Sequence, residues 1–270
     1  MSIDKFIDIL ATKEIYFTPL TSYGNTDPFE GLLPKVALDA FAGVFQKTAN
    51  EVQERTTFVT QFLDEAKSRG EVIDASVLEE YDSLVAGTNN MLPFMEKAFF
   101  KIMSSVTVNC WHMNNSESEA MWRLYSDTNK GVAIQTTLSS LLESITTEKY
   151  ITLSEVKYID FNDPNLTARD CVHNGNLVPY LKRNAFAHEN EVRLSISPGV
   201  SKENIDDYVP QGIRVSVDPA KLIEKIYISP YASQPYPSSV YAIAGKFDLD
   251  ENIIIKSDLL TVDDSLKRIF

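Results

Sequence analysis

The hydrophobic pattern changes at Val106-Thr107-Val108-Asn109-Cys110-Trp111, a run of β-branched and aromatic residues that predicts a strand. Between about residues 36 and 103, apolar residues instead recur every three or four positions, as on one face of a helix. After the run, short segments rich in Val and Ile predict most of the remaining strands. We therefore predict an α+β fold with a mixed, mostly antiparallel sheet and a helical insertion after the first strand.

The helical stretch contains two glycines at which we predict breaks, Gly70 and Gly87. Glycine ends helices readily because it adopts left-handed backbone angles without a steric penalty, and Pro93 suits the first turn of a helix. We therefore predict three helices here. A chain of 270 residues is near the size at which one core begins to divide. The prediction is one domain, residues 1–270, with the insertion at residues 36–104.

The segments outside the insertion show short helix and strand patterns. A helix at residues 3–10 and a strand at 14–17 precede it. The later predicted strands are 132–134, 151–159, 191–196, 213–217, 226–228 and 253–255. The later predicted helices are one that starts at the capping-box pattern of residues 116–119, one at 138–145 and one at 239–245. A weaker helical stretch ends near Phe186.

Composition limits the partners that we expect. The formal net charge is -13, from 38 acidic and 25 basic residues, which disfavours an extended nucleic-acid groove. The two cysteines, Cys110 and Cys171, do not suggest a disulfide framework, and we predict that both are buried. No run approaches the ~20 apolar residues of a membrane span, and the first residues lack an apolar signal core. We predict a cytoplasmic protein without a membrane partner.

The pattern Glu189-x-Glu191-x-Arg193 is the main functional candidate. Because side chains alternate along a strand, these three would project from one face. The alternate residues, predicted to face the core, are Val192, Leu194 and Ile196. Taken alone, the pattern favours a polar strand that faces solvent.

The position of this pattern in the chain favours a functional site instead. It follows Lys182 and Arg183, the one small basic cluster of the sequence. Paired carboxylates beside a cation can bind a sugar hydroxyl and stabilise an oxocarbenium ion, the cation that forms when a glycosidic bond breaks. The pattern therefore also fits a site that acts on a sugar or nucleotide.

An acidic loop near the start of the chain provides two further candidates, Asp27 and Glu30. Both could stand at the rim of a pocket. Alternatively, Asp27 caps the following helix and Pro28 occupies its first position. The sequence leaves both interpretations open.

Four residues between positions 111 and 125 complete the candidate set. Trp111 and Trp122 flank a polar connection, where they either stack on a base or nicotinamide ring or anchor the core. Tyr125 and Ser118 can present hydroxyls to a ligand, although helix capping is an alternative role for the serine.

Several blocks together resemble the bacterial family called domain of unknown function 2971, DUF2971. They are the loop 25–31, Cys110-Trp111 with Met121-Trp122-Arg123-Leu124-Tyr125, Lys130-Gly131-Val132-Ala133-Ile134, Glu189-Asn190-Glu191-Val192-Arg193-Leu194 and, more weakly, 222–230 and 256–259. Two features differ from the family pattern. An additional first strand is missing, and the usual Asn-Asp-Pro loop reads Asn25-Thr26-Asp27-Pro28.

The Glu-x-Glu strand also looks like the last catalytic motif of ADP-ribosyltransferases. That resemblance implies NAD as a substrate, Glu191 as the residue that holds the nicotinamide ribose, and Glu189 as the residue on the acceptor side. We predict no metal, because the three histidines are far apart in the sequence and the two cysteines form no Cys-x-x-Cys pair. The predicted ligand-binding residues are Asp27, Glu30, Trp111, Ser118, Trp122, Tyr125, Lys182, Arg183 and Arg193. The early strand with which those enzymes grip the dinucleotide is missing or altered here. We predict an NAD-using enzyme that serves as a bacterial antiphage defence effector or a toxin.

Two other hypotheses remain open at this point. The first is a non-catalytic module that binds a nucleotide-type small molecule, or a protein partner through the helices of residues 36–104. The second is a metal-dependent nuclease in which Asp27, Glu30, Glu189 and Glu191 hold Mg²⁺. The sequence contains no Gly-x-Ser-x-Gly, Walker or Gly-x-Gly-x-x-Gly motif, which argues against the enzyme classes that use them.

Overall fold

The computed structural model describes residues 1–126, 129–197, 199, 205 and 207–262. Its helices are α1 (Ile3–Thr12), α2 (Lys35–Ser68), α3 (Ala75–Ser105), α4 (Glu119–Tyr125), α5 (Leu138–Ser144), α6 (Pro219–Leu222) and α7 (Tyr236–Lys246). Its strands are β1 (Glu14–Pro19), β2 (Thr107–His112), β3 (Val132–Gln135), β4 (Thr152–Glu155), β5 (Lys157–Ile159), β6 (Leu181–Arg183), β7 (Glu191–Ile196), β8 (Ile213–Ser216), β9 (Lys225–Ile228) and β10 (Ile254–Lys256).

Five strands form the main sheet in the order β4-β7-β2-β1-β8, and all neighbouring pairs are antiparallel. A second sheet, β10-β9-β3, combines the parallel pair β9 and β10 with the antiparallel pair β3 and β9. Strands β5 and β6 form a separate parallel pair. The predicted α+β fold with a mixed, mostly antiparallel sheet is confirmed.

Strand β7 lies between β2 and β4, and all six of its residues are buried. Leu194 and Ile196 join the larger apolar core, where they pack with residues of β1, β8, β9 and α7, and Val192 is buried as well. The prediction that these three face the interior is confirmed. The interpretation of the opposite face as solvent-facing is wrong, because loops and β6 cover it.

The helices between β1 and β2 form a hairpin of two helices, where the sequence predicted three. The break near Gly70 is confirmed, since α2 ends at Ser68 and Gly70 has a positive φ of 75°. The prediction of a break at Gly87 is wrong, because α3 continues through both Gly87 and Pro93. Beside Gly87, the hydroxyls of Thr56 and Thr88 meet at 2.9 Å in the buried contact between the helices. A glycine costs a helix only about 1 kcal/mol, which packing against a neighbour readily offsets.

The division of the chain into one domain with an insertion stays a prediction. The hairpin does separate two strands that pair with each other, as Thr18 lies opposite Val108. Within the described ranges, no helix combines the length and the apolar character needed to cross a bilayer.

The predicted strand of residues 151–159 is divided at Val156. The Val156 N–H donates to the carbonyl of Glu191 in β7, but the next N–H, of Lys157, donates to Tyr180 beside β6. The chain therefore changes partners, so β4 joins the main sheet and β5 pairs with β6. The prediction of a helical stretch that ends near Phe186 is wrong. That segment instead contains β6 and a 3-10 helix (Asn184–Glu189).

Candidate functional site

The residues of the Glu189-x-Glu191-x-Arg193 pattern meet, but not by strand alternation alone. Glu189 ends the 3-10 helix, and Asn190 then adopts a left-handed φ of 41° before β7 begins at Glu191. Asparagine tolerates this conformation better than most residues. Glu191 and Arg193 do share one face of β7, where the Arg193 Nε donates to a Glu191 carboxylate oxygen at 2.6 Å. The turn at Asn190, rather than the strand, directs Glu189 toward them.

Lys182 of β6 joins the two glutamates. Its ammonium group donates to one oxygen of Glu189 and, at 2.6 Å, to one oxygen of Glu191. The same nitrogen lies 3.5 Å from a carboxylate oxygen of Glu30. Lys182 therefore contacts three carboxylates, of which Glu189 and Glu191 are close to it in the chain and Glu30 is distant.

Arg193 contacts two of the same carboxylates, those of Glu30 and Glu191. Its Nη1 donates to Glu30 at 2.7 Å and to the carbonyl of Pro179 at 2.8 Å, and its Nη2 lies 3.3 Å from the second Glu30 oxygen. The side chain is only 1% exposed. We call the set of Glu30, Lys182, Glu189, Glu191 and Arg193 the charge cluster. All five members are buried.

The charge cluster contains three carboxylates and two cations, and the pKa values of Glu189 and Glu191 are shifted in opposite directions within it. Burial opposes ionisation of Glu191, but Arg193 and Lys182 outweigh burial and hold its pKa well below the usual range. At Glu189, burial and the hydrogen bond with Glu191 prevail over Lys182 and raise the pKa. Glu191 is therefore the ionised member of the pair, and Glu189 is the one that takes up a proton more readily.

Two tyrosines contact these glutamates. The Tyr125 hydroxyl donates to Glu189 at 2.8 Å, and the Tyr158 hydroxyl accepts the backbone N–H of Glu191 at 2.9 Å. Burial raises the pKa of Tyr158 to about 12, so its phenol stays neutral at physiological pH. Tyr125 is 51% exposed and connects the charge cluster with solvent. The sequence pointed to Tyr125 but not to Tyr158, which reaches the site from β5.

Cys110 also borders the charge cluster, and the prediction that it is buried is wrong. It lies opposite Arg193 in the pairing of β2 with β7 and is exposed, whereas Cys171 is buried as predicted. Yet burial, with a smaller contribution from Glu191 and against the opposing effect of Arg193, raises the pKa of the Cys110 thiol to about 12. The thiol stays protonated there and is a poor nucleophile.

His112 lies two residues after Cys110 on β2. Its Nδ1 contacts the carbonyl oxygen of Glu189, while its Nε2 is buried and has no hydrogen-bond partner among the described residues. The pairing of β2 with β7 sets His112 opposite Glu191.

Asp27 and Arg183 form a second ion pair next to the charge cluster. The Arg183 guanidinium also lies 4.4 Å from the ring centre of Phe29, a cation–π distance. Asp27 accepts the Phe29 N–H at 3.0 Å and so stabilises a turn. The alternative in which Asp27 caps the next helix is wrong, because α2 begins only at Lys35.

The remaining candidates have contacts outside the charge cluster. The Trp122 indole N–H donates to Glu117 at 2.8 Å, and the side chain is buried. The Trp111 indole N–H donates to Asn109, and the ring packs against the larger core. The Ser118 hydroxyl caps α4 by accepting the Met121 N–H at 3.4 Å. These contacts match the core and capping roles that the sequence left open.

The family described as Protein of unknown function (DUF2971) matches residues 121–194. Over these residues the chain is similar to the DUF2971 family. The DUF2971 segment contains four members of the charge cluster, and Glu30 lies outside it. The predicted family is confirmed, whereas the similarity to ADP-ribosyltransferases is not shown. No match was found among curated proteins or among solved structures.

Proposed function

We propose that this protein is an ADP-ribosyltransferase-like enzyme that uses NAD, with Glu191 and Glu189 as its paired carboxylates. One observation carries the proposal. A single lysine holds two buried carboxylates whose pKa values are shifted in opposite directions. Such pairs divide acid and base roles in enzymes that break glycosidic bonds.

The charge balance of the cluster supports a cationic reaction centre. Its three carboxylates exceed its two cations, so full ionisation leaves a net negative charge. The nicotinamide ring of NAD carries a positive charge, and the ribose develops one as the bond to nicotinamide breaks. An excess carboxylate in a low-dielectric site stabilises that charge more strongly than water does.

The proposed step uses the two glutamates in different ways. The bond between the ribose C1′ and the nicotinamide nitrogen breaks, its electron pair goes to the ring, and neutral nicotinamide leaves. Ionised Glu191 stabilises the oxocarbenium ion. An acceptor hydroxyl then bonds to C1′ and releases its proton to deprotonated Glu189, whose raised pKa makes it a stronger base than an ordinary glutamate.

The side of the site that faces solvent supports access for a ligand. Tyr125 is half-exposed and holds Glu189 through its hydroxyl, and the exposed Cys110 lies beside Arg193 and Glu191. We expect a ligand to approach the charge cluster from this side. We expect the Tyr125 ring to contact the bound nucleotide.

The test is release of nicotinamide from NAD by the purified full-length protein, followed by chromatography with water or candidate acceptors present. We expect Glu191→Gln to lower the rate at least 1,000-fold and Tyr125→Phe about 10-fold, the latter with unchanged stability. Glu143→Gln, at an exposed site on α5, is the matched control and should retain full activity. The absence of nicotinamide release under all conditions would defeat the proposal.

A second candidate is a binding module that acts without chemistry. It is favoured by the exposed Phe58 and Phe62, which are one helical turn apart on α2 and offer an apolar contact to a protein partner. The two functions differ in one readout: a binding module saturates with NAD or a protein partner and releases no nicotinamide. The predicted role in antiphage defence or as a toxin stays a prediction that phage plating or growth inhibition would test.

The nuclease hypothesis receives less support from this geometry. Each of its four carboxylates, Asp27, Glu30, Glu189 and Glu191, already contacts a lysine or arginine. Mg²⁺ would have to compete with these cations for the same oxygens. In the described part of the chain, no group of three or more His, Cys, Asp and Glu residues is arranged to hold a metal.

A further inference from the structure

The hairpin of α2 and α3 carries large apolar side chains on its outside. The line of contact between the two helices, which we call the seam, includes hydroxyl pairs, such as Thr60 with Tyr81 at 2.6 Å. Six apolar side chains of the hairpin are instead between 43% and 71% exposed: Val44, Phe58, Phe62, Val77, Leu84 and Ile102. Exposed apolar side chains that form a continuous surface mark a contact with another molecule.

The helical repeat puts these six side chains on one side of the hairpin. Each stands one position before a residue that is buried or half-buried, as Phe62 precedes Leu63 and Leu84 precedes Val85. One position rotates a side chain by about 100° around the helix axis. Because α2 and α3 are antiparallel, an axis normal to the hairpin exchanges them, and the same rotation leads to the same side of both helices. We call this side, with its six side chains, the apolar face.

The spacing of the apolar face on α2 is symmetric. Val44 stands eight residues before Val52, and Phe58 and Phe62 stand six and ten residues after it. A half-turn about an axis at Val52, perpendicular to the helix, therefore brings Val44 over the Phe58 and Phe62 pair. The apolar part of α2 is complementary to itself.

The spacing on α3 has its centre at the same level of the hairpin. Leu84 and Ile102 are each nine residues from Pro93. The hydroxyls of Thr56 and Thr88 meet at 2.9 Å, and each threonine stands four or five residues from the centre of its own helix. The two centres therefore lie side by side, so one axis serves both helices.

Charge along the hairpin favours an antiparallel arrangement of two copies. The tip of the hairpin, residues 64–82, contains seven acidic and two basic residues. Its base, residues 35–47 and 96–105, contains four basic and two acidic residues. An antiparallel pair sets each acidic tip against the more basic end of the other hairpin, whereas a parallel pair would bring the two acidic tips together.

The area of the apolar face is sufficient for a stable dimer. α2 has 34 residues and α3 has 31, so at about 1.5 Å per residue the hairpin is about 45–50 Å long. Two helices side by side are about 20 Å wide. Full overlap of two such faces covers about 900 Å² on each copy, compared with about 800 Å² per partner in a standard protein interface.

We propose that the apolar face binds the apolar face of a second copy of this chain and forms an antiparallel four-helix bundle. The two-fold axis passes between the copies at the level of Val52 and Pro93, and every contact occurs twice. A symmetric spacing of apolar residues on both helices is what pairing of identical faces requires. The inference is independent of the proposed NAD chemistry, because the charge cluster contains no residue of α2 or α3.

The first test is sedimentation equilibrium of the full-length protein over a series of concentrations. We expect a species of twice the chain mass, and we expect Phe62→Asp to raise its dissociation constant at least 100-fold, because an aspartate from each copy becomes buried among apolar groups. The matched control is Phe100→Asp. Phe100 is 56% exposed but follows the seam residue Phe99, so it lies on the opposite side of α3. This control should dimerise like the unmodified protein.

The second test is disulfide formation, which reports the register even if Phe62→Asp impairs folding. In a Cys110→Ser background, a mixture of the Val44→Cys and Phe58→Cys proteins should form a disulfide-linked pair. Phe58→Cys alone should stay largely unlinked, because the antiparallel register separates the two copies of this position by about four helical turns or 18 Å.

Four results would overturn the inference. A monomer at every concentration would mean that the apolar face serves a different protein. A dimer that Phe62→Asp leaves unchanged, or that Phe100→Asp weakens equally, would place the interface elsewhere. Linkage of Phe58→Cys to itself without linkage to Val44→Cys would indicate a parallel pair.

Discussion

Arg193 donates to both carboxylate oxygens of Glu30, at 2.7 and 3.3 Å, although 163 residues separate the two in the chain. The pair connects the loop after β1 with the central strand β7. Both side chains are buried, so water cannot replace either partner if one is lost. The charge cluster is therefore a structural element of the fold as well as a candidate site.

Replacement of Arg193 by lysine should destabilise the protein strongly. A lysine cannot form the two-pronged contact with Glu30 while also reaching Glu191, and it leaves buried carboxylates without partners. We expect a loss of about 3–5 kcal/mol in the free energy of unfolding, measured in urea. The control is Arg214→Lys, whose partner Asp8 is largely exposed. That change should cost less than about 1 kcal/mol, and equal losses in both variants would contradict the argument.

The two glutamates should respond differently to the same neutral substitution. Glu191 is stabilised as an anion by Arg193 and Lys182, so Glu191→Gln should cost about 3–5 kcal/mol at pH 7. Glu189 has a raised pKa, which means that folding disfavours its charge, so Glu189→Gln should cost less than about 1 kcal/mol. Urea denaturation of both variants checks this order. A greater loss for Glu189→Gln would mean that the shifts are assigned to the wrong residues.

The stability of the protein should depend on pH through the same pair, with opposite signs. The lowered pKa of Glu191 adds stability that is complete above its ordinary value of 4.5 and is lost as the pH falls below it. The raised pKa of Glu189 adds stability that is present below 4.5 and is lost as the pH rises above it. The stability difference between the unmodified protein and Glu191→Gln should therefore shrink below pH 4.5. Urea midpoints measured from pH 7 down to pH 3.5 test this, and a constant difference would refute it.

Two glycines of the helical hairpin should respond in opposite directions to alanine. Gly87 lies inside α3 with no atom within 4 Å of an added Cβ, so Gly87→Ala should stabilise the protein by about 0.5–1 kcal/mol. Gly70 also has open space, but its φ of 75° strains alanine, so Gly70→Ala should destabilise by about 1 kcal/mol. Thermal unfolding measures both. If Gly87→Ala destabilised the protein, the continuous helix through this position would be in doubt.

Much of the fold follows from local pattern. The change of period at Val106 predicted β2, and the apolar alternation of Val192, Leu194 and Ile196 predicted the buried face of β7. These predictions succeeded because burial selects apolar residues at the repeat of each element. The prediction of a break at Gly87 was wrong because the helix is packed at this point. Thr88, the next residue, contacts Thr56 of the neighbouring helix, which lies 32 residues earlier in the chain.

The candidate site was predictable in composition but not in arrangement. The sequence suggested Glu30, Lys182, Glu189, Glu191 and Arg193 individually, through acidic spacing and family resemblance. Nothing in their order indicates that Lys182 contacts three carboxylates, because that depends on how β6, β7 and the loop after β1 approach each other. Tyr158 and the exposure of Cys110 were missed for the same reason.

The amino-acid sequence alone determined the class of the fold, the resemblance to the DUF2971 family and the set of charged residues near β7, because periodicity, turn chemistry and motif order are local properties. Only the tertiary structure decided that those charges are buried and paired. Charged residues more than one hundred positions apart in the chain interact only once the strands have paired in their final register. The burial of these residues then determines the strength of the electrostatic interaction between them.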